Sequence, residues 1–148
     1  MKSHAQAVVI GGGVIGCSIL YHLTKLGWTD VVMLERDELT SGSTWHAAAN
    51  IHGLHDSTNI SRIQHYTMNL YKELEQETGQ GCGVFQPGSL YLAQTEAREH
   101  QLRLQEAKAK LYSMNFHEVS RDEAERLHPL VNYDGIRCIM FEPDGGNV

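Results

Sequence analysis

Three groups of residues in this chain have the types and spacing that chemistry uses. Gly11, Gly13 and Gly16 form G-x-G-x-x-G directly after the apolar run Ala7-Val8-Val9-Ile10. In such a turn the first glycine allows a sharp reversal, the second lets backbone approach a pyrophosphate, and the third lets the following helix pack closely on the strand. That helix then directs its first N–H groups and the positive end of its dipole at the phosphates. Glu35 is the second group, 24 positions after Gly11 at the end of the run Val31-Val32-Met33-Leu34, where a carboxylate can accept hydrogen bonds from both hydroxyls of an adenosine ribose. The third is Gly42-Ser43-Thr44-Trp45-His46-Ala47-Ala48-Ala49-Asn50, small and hydroxylated around one Trp and one His. Glycine and alanine allow close approach, while hydroxyls and free backbone N–H groups supply donors to a ligand lying along them. The same stretch also reads as a surface loop, or as a short Ala-rich helix capped by Ser43 or Thr44.

The elements that must position these groups are legible around them. Val8, Val9 and Ile10 read as a buried parallel strand. Ile15, Ile19, Leu23 and Leu26 recur at helical spacing, Gly27 stands where a C-terminal cap belongs, and Val31 to Leu34 is a second buried strand. Together they make a dinucleotide-binding βαβ unit. The fold class is therefore α/β, a Rossmann-like core with additional helices and short strands.

Downstream, Ile60, Ile63, Thr67, Leu70 and Leu74 mark one face of a helix that Gly79 ends. Gly83 to Ala93 offers two short strands about Pro87-Gly88. Thr95 can cap a further helix with Leu104, Ala107, Leu111 and Met114 as its apolar face and Glu99/Arg103 and Glu106/Lys110 as exposed pairs. Phe116 to Val119 reads as a brief strand, Ser120 to Glu123 as a capping box, and Gly135 to Phe141 as another strand; the helix between stops near Leu127 because Pro129 follows. A doubly wound nucleotide domain needs at least one more βαβ to cover its sheet. Residues 1–148 are accordingly expected to be the N-terminal part of a larger enzyme's domain, a fragment or a truncated product, inactive by itself.

Composition narrows the partners. The 148 residues carry 12 Lys and Arg against 18 Asp and Glu, a net charge of −6, which disfavours nucleic acid and anionic membrane surfaces. No apolar run approaches the roughly 20 residues that cross a bilayer. Few residues precede the first strand at Gln6 or Ala7, so the expected location is cytoplasmic, or the mitochondrial matrix if a presequence was removed. Cys17, Cys82 and Cys138 are sparse and odd in number, which fits a reducing compartment and neither disulfides nor zinc. His46, His52 and His55 lack the carboxylates or fixed spacing of a metal site.

From Glu35 to Asn50 the chain resembles the dimethylglycine and sarcosine dehydrogenase group, within the glycine-oxidase and D-amino-acid-oxidase-like flavoproteins. The resemblance runs through the Gly11 to Gly16 turn, Glu35-Arg36, Leu39 to Ala48, Gln86-Pro87-Gly88-Ser89 and Asp144 to Val148. It implies FAD as cofactor. Val14 and Ile15 would meet the pyrophosphate through backbone N–H groups, Glu35 the adenosine ribose, and Arg36 the adenine. Gly42 to Asn50 would run toward the isoalloxazine, with His46 at the position of the histidine bonded to the flavin 8α carbon. A neutral imidazole nitrogen suits that bond, which retains the cofactor and raises its reduction potential. The implied reaction oxidises the C–N bond of an N-methyl amino acid, with product passing to formaldehyde or tetrahydrofolate and electrons to an electron-transfer flavoprotein or oxygen. No catalytic residue is assigned. Two departures stand out: Leu20 replaces a small residue of the extended fingerprint, and Ala49 stands where glycine is expected, a strained choice if that position has positive φ. Two other functions share these features, a non-catalytic regulatory relative of the same fold and an NAD-dependent dehydrogenase. Arg36 could also serve a 2′-phosphate, but the adjacent Glu35 disfavours NADP.

Overall fold

Consecutive β-branched residues favour extended backbone, and Ala7–Ile10 forms strand β1. The glycines that follow release the chain into helix α1, Val14–Lys25, which leads to strand β2, Val31–Leu34. In this computed structural model, which describes residues 3–148, the chain divides into two units, one ending at Ala48 and one running from Ala49 to Val148.

In the first unit β1 and β2 pair in parallel, Ala7 opposite Val31 and Ile10 opposite Leu34. This is the expected βαβ unit. Helix α1 ends on a Schellman motif: Gly27 has φ +87°, its N–H reaches the Thr24 carbonyl at 2.9 Å, and Trp28 N–H reaches the Leu23 carbonyl at 3.0 Å. The expected burial of both strands is not met. Val9 is buried, but Val8, Ile10 and Leu34 are exposed, Ile10 by 85%. The row Ile15 and Ile19 on α1 is exposed as well. Two strands and one helix have too little surface to cover both faces of a sheet, so the apolar pattern is present without its cover.

The second unit contains a three-stranded antiparallel sheet in the order β4-β6-β5, made of Ser89–Ala93, Cys138–Glu142 and His117–Glu118. The alternation along β6 builds two cores. Cys138 and Met140 face Leu102, Ala109, Phe116 and Leu54, while Ile139 faces Val119, Ala124 and Tyr133. Helix α3, Glu96–Leu111, lies in the first core and α4, Arg121–Leu127, in the second. A small pair, β3 (Asn50–Ile51) and β7 (Gly146–Asn147), is antiparallel. Helix α2 spans Thr58–Thr78 and ends at Gly79 with φ +69°.

Several local expectations hold. Thr95 and Ser120 cap α3 and α4 by accepting the N–H of Arg98 and Glu123 at 3.2 Å each. Glu99/Arg103 and Glu106/Lys110 form ion pairs. Three others are corrected. The buried row of α3 is Leu102 and Ala109, whereas Leu104 and Leu111 are exposed; Met114 lies past the helix end and packs on the core independently. On α2 the buried residues are Ser61, Met68 and Leu70, with Ile60 and Ile63 exposed. The reason is a hydrogen bond that hydropathy does not register: the Ser61 hydroxyl accepts the His55 N–H at 2.8 Å and donates to the His55 carbonyl at 2.9 Å. Of the two strands expected about Pro87-Gly88, only β4 forms, and the first is a single bridge from Phe85 to Asn147. Gly83 and Gly88, both at positive φ, interrupt the extended run.

Helix α3 ends as α1 does, but with Ser113 at φ +56°; Met114 N–H bonds the Ala109 carbonyl at 2.9 Å across it. Ala49 occupies the same region at φ +58°. A Cβ in that conformation costs about 1–2 kcal/mol relative to the right-handed region. Ser113→Gly and Ala49→Gly should each therefore raise stability by about 1 kcal/mol, a melting shift of about 3 °C for a chain of this length. Thermal unfolding followed by circular dichroism checks this, with Ser113→Ala as the neutral comparison.

Candidate functional site: a nucleotide groove at the glycine turn

At Gly16 the backbone of α1 comes so close to the turn that an added Cβ would collide with the Gly11 carbonyl. This contact seats the helix start directly beyond the end of β1. Gly11 itself has φ +102°, the reversal that only glycine makes without strain. The N-cap is Gly13, which has no side chain to satisfy the helix, and the first turn contains no acid. The N–H groups of the first turn have no acceptor within the helix, and their positive potential is uncompensated by charge. Thr44 Oγ1 accepts the Val14 N–H at 3.0 Å, which brings the hydroxylated block over the helix start.

Glu35 closes the other side. Its Oε2 accepts the Gly12 N–H at 2.5 Å, and its Oε1 accepts those of Arg36 and Asp37 at 2.7 and 3.1 Å. The Gly12 bond, then those from Asp37 and Arg36, hold the carboxyl below the usual glutamate range, and the Arg36 charge adds to the effect. Three N–H donors on two oxygens leave lone pairs for further donors such as ribose hydroxyls. The Gly12 carbonyl accepts the Thr40 N–H at 3.0 Å and the Cys17 thiol at 3.5 Å.

The groove between these walls has a volume of about 930 Å³, within the range of cofactor sites. It is lined by Gly11, Gly13, Val14, Ile15, Gly16, Glu35, Arg36, Gly42, Ser43, Thr44 and Ala47 among the residues singled out from the sequence. Trp45, His46 and Ala48 belong to the same unit but do not line it; the Trp45 and His46 rings stack edge to face with centroids 5.1 Å apart. Ala49 and Asn50 begin the other unit, where Asn50 pairs with Asn147. The block is a run of turns and not an Ala-rich helix. Sequence reading missed Gly12, Asp37, Thr40 and Ser41. Gly12 occupies an unconstrained position of the motif, yet a side chain there would meet Leu39 and Glu35; the third consecutive glycine was the available signal.

Glycines where a Cβ would intrude, an uncompensated helix start and an ionised carboxylate at the second strand end fit the adenosine diphosphate half of a dinucleotide. The family described as FAD dependent oxidoreductase matches residues 6–148. Rat mitochondrial dimethylglycine dehydrogenase is 40% identical over 99% of this chain, and human mitochondrial sarcosine dehydrogenase 38% identical over 100%. The chain spans only 17% and 16% of the lengths of these two relatives. Among solved structures, L-proline dehydrogenase from P. horikoshii superposes with a TM-score of 0.89 at 22% identity, covering 100% of this chain and 39% of that one, a likeness of fold. The βαβ turn, its groove and the match over nearly the whole sequence place this chain in the FAD-dependent oxidoreductase family.

Proposed function

We propose that this chain supplies the FAD-binding part of an enzyme that oxidises the C–N bond of an N-methyl amino acid of the dimethylglycine or sarcosine type. The observation that carries this reading is His46 within Gly42 to Ala48, in a chain similar over its length to two N-methyl amino acid dehydrogenases. When bound, FAD supplies the two-electron acceptor for hydride leaving the N-methyl carbon.

The chain's own residues do the holding. The first-turn N–H groups of α1 offset pyrophosphate charge, Gly13 keeps a Cβ out of its way, and Gly16 lets the helix start close against Gly11. Glu35 accepts hydrogen bonds from the adenosine ribose while its remaining bonds fix the carboxylate in place. Ser43 and Thr44 hydroxyls offer donors along the diphosphate, and Arg36 lies at the adenine side. His46, exposed and backed by the Trp45 ring, offers an imidazole nitrogen as the point of attachment to the flavin. Its product would be released as formaldehyde or passed to tetrahydrofolate, with electrons leaving to an electron-transfer flavoprotein or oxygen. The mitochondrial names of both relatives favour the matrix over the cytoplasm.

Acid precipitation of the full chain after expression tests the attachment. Yellow, fluorescent flavin should remain with the polypeptide and be released in His46→Ala. Flavin that washes away entirely from the unsubstituted protein sinks the covalent bond, and flavin retained in His46→Ala puts the attachment elsewhere.

Glu35→Gln should weaken FAD binding by about 10-fold, since hydrogen bonds to a charged acceptor are stronger than those to a neutral one. The lowered pKa gives a sign to the pH dependence. Hydrogen bonding by ionised Glu35 stabilises the fold fully above the unfolded pKa and is lost as pH falls through the folded one. A carboxyl NMR titration should place the Glu35 midpoint below that of an ordinary glutamate, and the matching acid-side loss of stability should vanish in Glu35→Gln.

A further inference from the structure

One of the backbone N–H groups that a pyrophosphate would take at the glycine turn already has an acceptor. Val14 opens α1, and its N–H donates to Thr44 Oγ1 at 3.0 Å, across 30 positions of chain. The hydroxyl reaches it over Gly13, where an added Cβ would stand 3.0 Å from the same oxygen. The space kept free by glycine at the N-cap therefore borders a side chain of the protein itself. Gly13 makes no side-chain bond to the helix, so Thr44 supplies from a distance the acceptor that an N-cap residue usually brings.

Thr44 belongs to a segment fastened at its other end as well. Thr40 N–H bonds the Gly12 carbonyl at 3.0 Å, and Leu39 fills the space beside Gly12 that a side chain there would need. Ser41, Gly42, Ser43 and Thr44 then line the groove. Residues 40–44 thus form a strap over Gly12, Gly13 and Val14, all within the unit that ends at Ala48. The tie at Thr40 uses a carbonyl, for which an anion does not compete. The tie at Thr44 uses an N–H of a helix start, for which it does.

We propose that the Thr44 hydroxyl is a latch on the nucleotide site: it caps α1 until a diphosphate enters, and a phosphate oxygen then replaces it on the Val14 N–H. The proposal rests on the reading of the groove as a nucleotide site. Bonds to a charged phosphate oxygen are roughly twice as strong as bonds to a neutral hydroxyl, so the exchange runs toward the ligand. A ligand without phosphate offers Val14 no such acceptor and leaves the latch shut. Closure slows binding, because only the open fraction of the chain is competent. One neutral hydrogen bond of ordinary net strength favours the closed state about fivefold.

The test uses the full chain, unsubstituted and as Thr44→Ala and Thr44→Ser, with the fluorescent analogues etheno-ADP and etheno-adenosine followed by stopped flow. Amide exchange at Val14, measured without nucleotide, reads the cap. In Thr44→Ala that exchange should speed about fivefold, and etheno-ADP should associate about fivefold faster. Etheno-adenosine should associate at an unchanged rate. Thr44→Ser keeps the acceptor and should return both values to within twofold of the unsubstituted chain. The association rate isolates the latch, because a bond from the released hydroxyl to the diphosphate would read in the dissociation rate instead. Unchanged Val14 exchange overturns the proposal, as does faster exchange with unchanged or slower etheno-ADP association. Equal acceleration of etheno-adenosine overturns it too, since the hydroxyl would then yield to something other than phosphate. If neither the unsubstituted chain nor Thr44→Ala binds etheno-ADP, the nucleotide reading itself fails and the latch falls with it, whatever the Val14 exchange shows about the cap.

Discussion

Everything at the nucleotide groove depends on the close passage of the α1 backbone over the Gly11 carbonyl at Gly16. Without a Cβ there, the helix axis can start at the strand end, and its first-turn N–H groups, of which Val14 donates to Thr44 Oγ1, open onto the place where a phosphate would lie. A side chain at Gly16 would lift the helix and widen the groove at its base. Gly11 and Gly13 matter because of that seating: one turns the chain toward the helix, the other caps it without filling the space.

Glu35 couples the second strand to the same turn. By bonding Gly12 it links the end of β2 to the loop after β1, and the Thr40 N–H on the Gly12 carbonyl carries the link into the hydroxylated block. The carboxylate therefore holds the loop while lone pairs on the same two oxygens stay open. Its ionisation is stabilised by the backbone donors themselves, so the loop geometry and the charge support each other. Thr40, at φ +66°, is a β-branched residue in the left-handed region within this network, and strain of that kind persists where surrounding bonds over-determine the backbone.

The second unit solves a different problem. Its sheet has cover on both faces, from α3 on one side and α4 on the other, so β6 can bury Cys138, Ile139 and Met140 in succession. The first unit has the same apolar patterning and little cover, with Ile10 and Ile15 exposed. Similar hydrophobic strings thus end in opposite environments according to how many layers surround them.

The sequence by itself determined the βαβ unit, its glycine turn, the place of Glu35 just after β2 and most helix ends, because these rest on local rules: glycine's freedom at positive φ, capping by Thr95 and Ser120, and runs of β-branched residues. It also pointed to flavin, through the block around His46. Tertiary structure alone decided which faces are buried. Helix periodicity gave Leu104 and Leu111 to the core of α3 and Ile60 and Ile63 to that of α2, yet Leu102, Ala109, Ser61 and Met68 occupy it. The sequence signal for burial is hydrophobicity, whereas the position of a helix is set also by hydrogen bonds such as that of Ser61 to His55 and by the sheet it meets. Glu142 went unread for the same reason: it bonds Gly53, 89 positions away, and no local pattern marks a contact that exists only after the chain has folded.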